Sequence, residues 1–219
     1  MATAIDRAEI TGIVLAGGLG RRMSADGQGV DKGLQLFRGR PMVQHAIERL
    51  APQVGTLLIN ANQNLERYRA LGWPVVTDAF EGFAGPLAGL HAGMRAARTR
   101  YVVTVPCDSP FLPVDLVARL SAALAAAPGT RLGVARTGAQ PHPVFTLLER
   151  ALLDSLHAFL ASGRRKIDAW HASLPMVEVD FVDEAAFRNI NTPQELRTCE
   201  ETGASPADST PASAKRESP

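Results

Sequence analysis

At 219 residues, 46% of them apolar, the chain has material for one sizeable core, and aromatics at 5% make that core mainly Ala, Leu and Val. A formal net charge of +1 excludes a protein that coats nucleic acid or an anionic membrane, since both tasks use a strong basic excess. No apolar run approaches the roughly 18 residues of a membrane span, the N-terminus lacks a secretory pattern, and two cysteines, Cys107 and Cys199, make no disulfide framework. The expectation is a single cytoplasmic domain acting as a monomer.

Residues 1–9 read as an N-terminal extension. ITGIVLA (10–16) is a buried strand, PMVQHAIERLAPQ (41–53) a helix, TLLINA (56–61) a strand, NLERYRAL (64–71) a helix and PVVTD (74–78) a short strand. A helix over 85–100 has Pro86 near its start, where a missing N–H costs little. YVVTVPCD (101–108) is rich in β-branched residues, which suits a strand buried on both faces. A helix over 113–127 follows, opened by Pro113. Strands alternating with helices of this length indicate an α/β fold with a mostly parallel central sheet flanked by helices.

In the second half, RLGVAR (131–136) and HPVFTLL (142–148) can pair as strands. A helix over 149–162 ends at Gly163, and MVEVDFV (176–182) alternates like a half-exposed strand. NTPQELRTCE (191–200) is a helix with Thr192 as cap, Pro193 in the first turn and Glu195 completing a capping box. The domain therefore spans 10–201. Residues 202–219 have nothing to bury and read as a disordered tail.

Chemistry concentrates at strand ends. LAGGLGRRM (15–23) runs from a buried strand into Gly17, Gly18 and Gly20, with Arg21 and Arg22 beside them. Glycines let backbone N–H groups approach an anion, and arginines grip phosphate oxygens in pairs. Two other phosphate motifs fail. A dinucleotide fingerprint needs glycine where Met23 stands and an acid where Asn60 stands, and no Walker A string occurs. At the far end of the same loop, Lys32 in VDKGL can reach back to phosphates, and Asp31 can hold Lys32 or an arginine in place. Asp108, in PCDSP after the YVVTV strand, is placed to hold Mg²⁺, which takes hard oxygen ligands beside substrate phosphates. Asp78 is a second acid at an equivalent strand end.

Asn60 in NAN suits a base edge or a ribose. Cys107 reads as a small buried apolar residue. Arg164, Arg165 and Lys166 form a cationic cluster that either takes an anionic second substrate or is a solvated helix start. Asn189 and Asn191 either line the site or build a turn.

In this order, LAGGLGRRM, VDKGL, NAN, GPLAGL, PCDSP, HPVFTL and NINTPQEL resemble the molybdenum cofactor guanylyltransferases over about residues 10–197. The resemblance implies a single-domain, Rossmann-like nucleotidyltransferase fold. It implies transfer of GMP from GTP to the terminal phosphate of molybdenum-molybdopterin, with pyrophosphate released, in the cytoplasm. By motif match, Leu15, Ala16, Gly17, Lys32, Asn60, Asp78 and Asp108 contact GTP, and Asp108 also binds Mg²⁺. The catalytic set is Arg22, Lys32 and Asp108, with the anionic pterin near 163–167. One departure is the link SADGQGV between RRM and DK, several residues longer than the family's usual one. The rival readings are a CTP-dependent enzyme on the same cofactor, a non-catalytic nucleotide-binding regulator and a nicotinamide oxidoreductase.

Overall fold

The unbroken apolar run ITGIVL forms β1 (Ile10–Leu15) near the middle of a seven-stranded sheet, where both faces are covered. The structure, a computed structural model, describes residues 5–18, 30–80 and 85–201. The other strands of this sheet are β4 (Thr56–Asn60), β5 (Val75–Val76), β6 (Tyr101–Pro106), β7 (Leu132–Thr137), β8 (Gln140–Glu149) and β9 (Met176–Asp180). Their order is β5-β4-β1-β6-β8-β7-β9. Only β8 runs antiparallel to its neighbours β6 and β7. β2 (Leu36–Phe37) and β3 (Arg40–Pro41) make a separate two-stranded ribbon.

From β1 the chain builds outward through β4 and β5, then returns to lay β6 on the other side of β1. At such a switch point the connections leave in opposite directions and open a crevice at the carboxyl ends of the strands.

Among the described residues, seven α-helices accompany the sheet: α1 (Met42–Leu50), α2 (Leu65–Arg69), α3 (Pro86–Ala96), α4 (Leu116–Ala126), α5 (Leu153–Ala161), α6 (Ile167–His171) and α7 (Pro193–Glu201). Side chains alternate across the sheet, so it feeds two cores. Val14, Val103 and Val105 join α1 and α4 on one face. Ile13 and Val102 join α3, α5 and Trp170 of α6 on the other. Two glycines let α3 lie close. A Cβ on Gly93 would stand 2.1 Å from Ile13 Cδ1, and one on Gly89 would stand 2.2 Å from Asn60 Oδ1.

The expected elements are present, most with shorter ends, while β8 is longer than the expected 142–148. The strand expected over 74–78 keeps only Val75–Val76, because the Asp78 N–H donates to the Asn62 side chain instead of a ladder partner. Pro113 does not open α4: its carbonyl accepts from the Leu116 N–H in a preceding turn. The helix expected from 149 starts later, since Glu149 is still paired with Tyr101 in the sheet. The short helix α6 and the β2–β3 ribbon were not foreseen. The 202–219 tail lies outside the described residues.

In β8, the two prolines of PHPVF remove N–H groups from the ladder. Pairing with β7 jumps from Val134–Thr146 to Ala135–His142, so residues 143–145 bulge out. Such bulges re-aim side chains. This one carries Val144 toward the crevice.

α6 makes a pH prediction. His171 is buried, its Nε2 has no partner among the described residues, and burial pushes its pKa down from 6.5 to about 4. Between these values the unfolded chain takes up a proton and the folded one does not. Stability present above pH 6.5 is therefore lost as pH falls toward about 4, by about 3 kcal/mol. Urea midpoints taken across this range should fall for the natural chain. They should fall less for His171→Leu, and equal slopes would exclude His171 as the cause.

Candidate active site

The site grows from the carboxyl ends of β1, β4 and β6. Pairing continues one residue past the strands: Ala16 N–H donates to Asn60 O at 2.7 Å, and Cys107 N–H donates to Leu15 O at 3.0 Å. The backbone of Gly17 and Gly18 thus leaves the sheet at its rim. A cavity of about 440 Å³ opens there, within the usual size of a small-molecule site. Leu15, Ala16, Gly17, Lys32, Asn60, Asp78 and Asp108 all line it, so the seven residues that the resemblance implied as GTP contacts meet in one place. Arg22 lies outside the described residues.

At the centre is Lys32. Its ammonium donates to Asp108 Oδ2 at 3.2 Å and to Asn191 Oδ1 at 2.6 Å. Both charged side chains are mostly shielded, at 17% and 11% exposure, which strengthens their attraction relative to a surface pair. Among the described residues, none bonds the other Asp108 oxygen. The backbone holds this arrangement from behind. Ile190 N–H donates to Asp108 O at 2.8 Å, and Ser109 Oγ donates to Asn189 Oδ1. Asn191 N–H in turn donates to Glu195 Oε2 at 2.6 Å, while Glu195 N–H donates to the Thr192 hydroxyl at 3.1 Å. The capping box expected at 192–195 is thus built, with its carboxylate turned one residue back to fix Asn191.

A second network lies along the rim. The Asp78 carboxylate accepts from Asn60 Nδ2 and Asn62 Nδ2, both at 2.8 Å, and Asp78 N–H donates to Asn62 Oδ1 at 2.9 Å. The NAN amides are therefore engaged with Asp78 across the loop.

Asp31 does not bond Lys32, one of the two partners the sequence offered, and Arg21 and Arg22 lie outside the described residues. Asp31 accepts from the Tyr68 hydroxyl and from Asn64 Nδ2, so it anchors the lysine's segment from the opposite side. Burial raises the Tyr68 pKa, and the nearby Cys107 and Asp31 add to the shift, keeping the proton available to donate. Burial and the neighbouring Asp108 also push the Cys107 thiol pKa up, so it is no nucleophile at neutral pH.

Gly85 and Pro86, within the GPLAGL segment, line the cavity, and so does Val144, which was not singled out as a contact. Asn189 and Asn191 prove to line it as well. The 163–166 cluster does not: Arg164 lies over the Phe159 ring at 4.2 Å, and Arg165 donates to Leu160 O at 2.7 Å.

Taken together, a strand-end glycine backbone, a shielded ammonium and one carboxylate with an oxygen unclaimed among the described residues suit a polyanion carried with a hard cation.

A family model described as the MobA-like NTP transferase domain matches residues 12–175. A molybdenum cofactor guanylyltransferase from Ralstonia nicotianae is 54% identical over 202 residues, covering 88% of this chain and 97% of the relative. Another, from Cupriavidus necator, is 53% identical over 201 residues, covering 90% and 98%. Among solved structures, molybdopterin-guanine dinucleotide biosynthesis protein A from Archaeoglobus fulgidus matches with a TM-score of 0.70 at 22% identity, covering 88% and 98%. That likeness bears on the fold.

Two substitutions probe the geometry. Gly→Ala in a helix ordinarily stabilises by up to about 1 kcal/mol, but at Gly89 the new Cβ meets the Asn60 amide. Gly89→Ala should weaken nucleoside triphosphate binding about tenfold or more in titration calorimetry; unchanged affinity would show that Asn60 can move without consequence. Glu195→Ala should also weaken it, while Glu195→Gln, which keeps an oxygen acceptor for Asn191, should restore most of the affinity. Equal losses in the two variants would make the carboxylate's charge the relevant property.

Proposed function

The chain belongs to the MobA-like NTP transferase family, and from this premise we propose that it transfers GMP from GTP to the terminal phosphate of molybdenum-molybdopterin, releasing pyrophosphate. The observation that carries the reading is the convergence of Lys32, Asp108 and the Gly17–Gly18 backbone on one cavity. Relatives at 53–54% identity bear the guanylyltransferase name, which favours guanine over cytosine. A cytoplasmic setting belongs to the same reading.

In this mechanism the triphosphate lies along the rim at Gly17 and Gly18, whose amides face its oxygens. An acceptor phosphate oxygen attacks the α-phosphorus. One P–O bond forms to GMP, and the bond from the α-phosphorus to the bridging oxygen breaks, with its electron pair leaving on pyrophosphate. The attacking group is already anionic at neutral pH, so no strong general base is needed. Lys32 exchanges its contacts with Asp108 and Asn191 for phosphate oxygens and offsets the charge that grows on the leaving group. Positioning and charge neutralisation supply most of the rate in such transfers.

The residues fit Mg²⁺, which is commonly held by one or two carboxylates with substrate phosphates and waters completing its shell. Asp108 supplies one carboxylate with an oxygen unclaimed by described residues. No group of three or more His, Cys, Asp or Glu side chains suited to a metal occurs among the described residues, consistent with a cation that arrives with its nucleotide. When bound, Mg²⁺ adds positive charge against the phosphates. Asp78, clamped by Asn60 and Asn62, orders the rim and leaves the cation to Asp108.

Pyrophosphate release with molybdenum-molybdopterin and Mg²⁺ tests the reading, with GTP and CTP compared side by side. Release is expected with GTP alone, and chelation should stop it. Release with CTP alone would overturn the guanine assignment. Asp108→Asn should cut turnover by at least about a hundredfold with little change in thermal midpoint; turnover near the natural rate would remove its metal role.

A further inference from the structure

α2 is five residues long and buries one side chain, Tyr68. A helix so short has little stability of its own in water, so its place depends on that side chain and on what the side chain holds. The Tyr68 ring joins the core that α1 and α4 cover, and its hydroxyl reaches the turn that carries Lys32.

The turn is gripped on both sides of the lysine. Before it, Asp31 accepts from the Tyr68 hydroxyl on Oδ1 and from Asn64 Nδ2 on Oδ2, at 2.9 Å for the latter. Both oxygens of the carboxylate next to Lys32 in the sequence are thereby taken. After it, Gly33 packs over the same hydroxyl. A Cβ there would stand 2.5 Å from Tyr68 Oη and 3.3 Å from Cys107 Sγ. The turn closes through Leu34 N–H to Asp31 O and Gln35 N–H to Lys32 O, both at 3.2 Å. Lys32 is thus bracketed by two neighbours that both meet Tyr68, and the second also meets the residue before Asp108.

Resting on the guanylyl-transfer reading, we propose that Tyr68 is a positioning residue for the reaction, setting where Lys32 reaches by holding Asp31 and seating Gly33. One hydroxyl has two effects. Its contact with Gly33 sets how far the lysine's backbone stands from the end of β6, and with it the 3.2 Å between Lys32 Nζ and Asp108 Oδ2. Its bond to Asp31 decides which acid the ammonium meets. An ammonium is drawn to the nearest free carboxylate. Asp31, engaged by Tyr68 and Asn64, does not compete, which leaves Lys32 to Asp108, to Asn191 and, in the proposed reaction, to the phosphates. Without the hydroxyl, Asp31 Oδ1 is free to draw the ammonium away.

The test is a double-mutant cycle on the full chain. Tyr68→Phe keeps the ring in the core and removes the hydroxyl. Asn64→Gly suits the φ of 50° at that position and removes the amide. In calorimetry, Tyr68→Phe should weaken GTP binding about tenfold and Asn64→Gly about threefold. In pyrophosphate release, Tyr68→Phe should lower kcat about tenfold and leave the KM for molybdenum-molybdopterin unchanged. In a Lys32→Ala background, where the positioned group is absent, Tyr68→Phe should weaken GTP binding no further. A tyrosine that only supports the fold would give equal losses with and without the lysine, and such additivity would overturn the proposal. So would natural GTP affinity and kcat in Tyr68→Phe. Should Tyr68→Phe not fold, Asn64→Gly, at an exposed position, carries the same cycle with Lys32→Ala. Losses in GTP binding that vanish without Lys32, with no pyrophosphate release by the natural chain, would uphold the role of Tyr68 and refute the transfer reaction. Release by the natural chain with additive losses would do the reverse.

Discussion

The contact on which the rest of the site depends is the ammonium of Lys32 between the Asp108 carboxylate and the Asn191 amide. It joins three stretches of chain separated by 76 and 159 positions from the lysine. A shielded lysine loses its hydration and must be compensated by nearby acceptors. The surrounding structure supplies them: the end of β6 presents Asp108, and the turn before α7 presents Asn191. In the proposed reaction the triphosphate offers the same lysine further oxygens, and the protein contacts would hold the ammonium near that place of use.

This arrangement requires exact strand ends, and the sheet provides them. Parallel strands cannot be joined by tight hairpins, so β1, β4 and β6 all deliver their last residues to one rim. The close seating of α3 then settles the amide of Asn60. Gly89 leaves room for Asn60 Oδ1, and the amide nitrogen turns to Asp78. A larger residue at 89 would strain the rim even if the helix itself gained stability. Helix propensity and site geometry pull in opposite directions at this position, and the geometry has been kept.

Much of this was legible in the sequence. The strand-to-glycine transition at LAGG, the lysine of VDKGL and the acid of PCDSP each follow from local chemistry, and they meet as expected. What was not legible is long-range pairing. Nothing near Asp31 reveals that its partners are Tyr68 and Asn64, and nothing near Asn60 reveals Asp78. Asp31 sits beside Lys32 in the sequence and Asp78 at a strand end, yet both serve as anchors for neighbours. Element ends were missed for a related reason: side chains such as Asn62 take over backbone donors, and no propensity registers that. The two prolines of PHPVF were a signal of a break in β8, overlooked because the apolar run after them reads so clearly as a strand.

That break has a wider consequence for which side chains wall the cavity. A regular β8 would alternate strictly, sending His142 and Val144 to the same face at a fixed spacing. The three-residue bulge uncouples them, so one strand walls the strand-end cavity with Val144 and a separate hollow beside Glu184 and Phe187 with His142. The antiparallel strand in an otherwise parallel sheet thus supplies a wall of the strand-end cavity through the one side chain that its bulge turns inward.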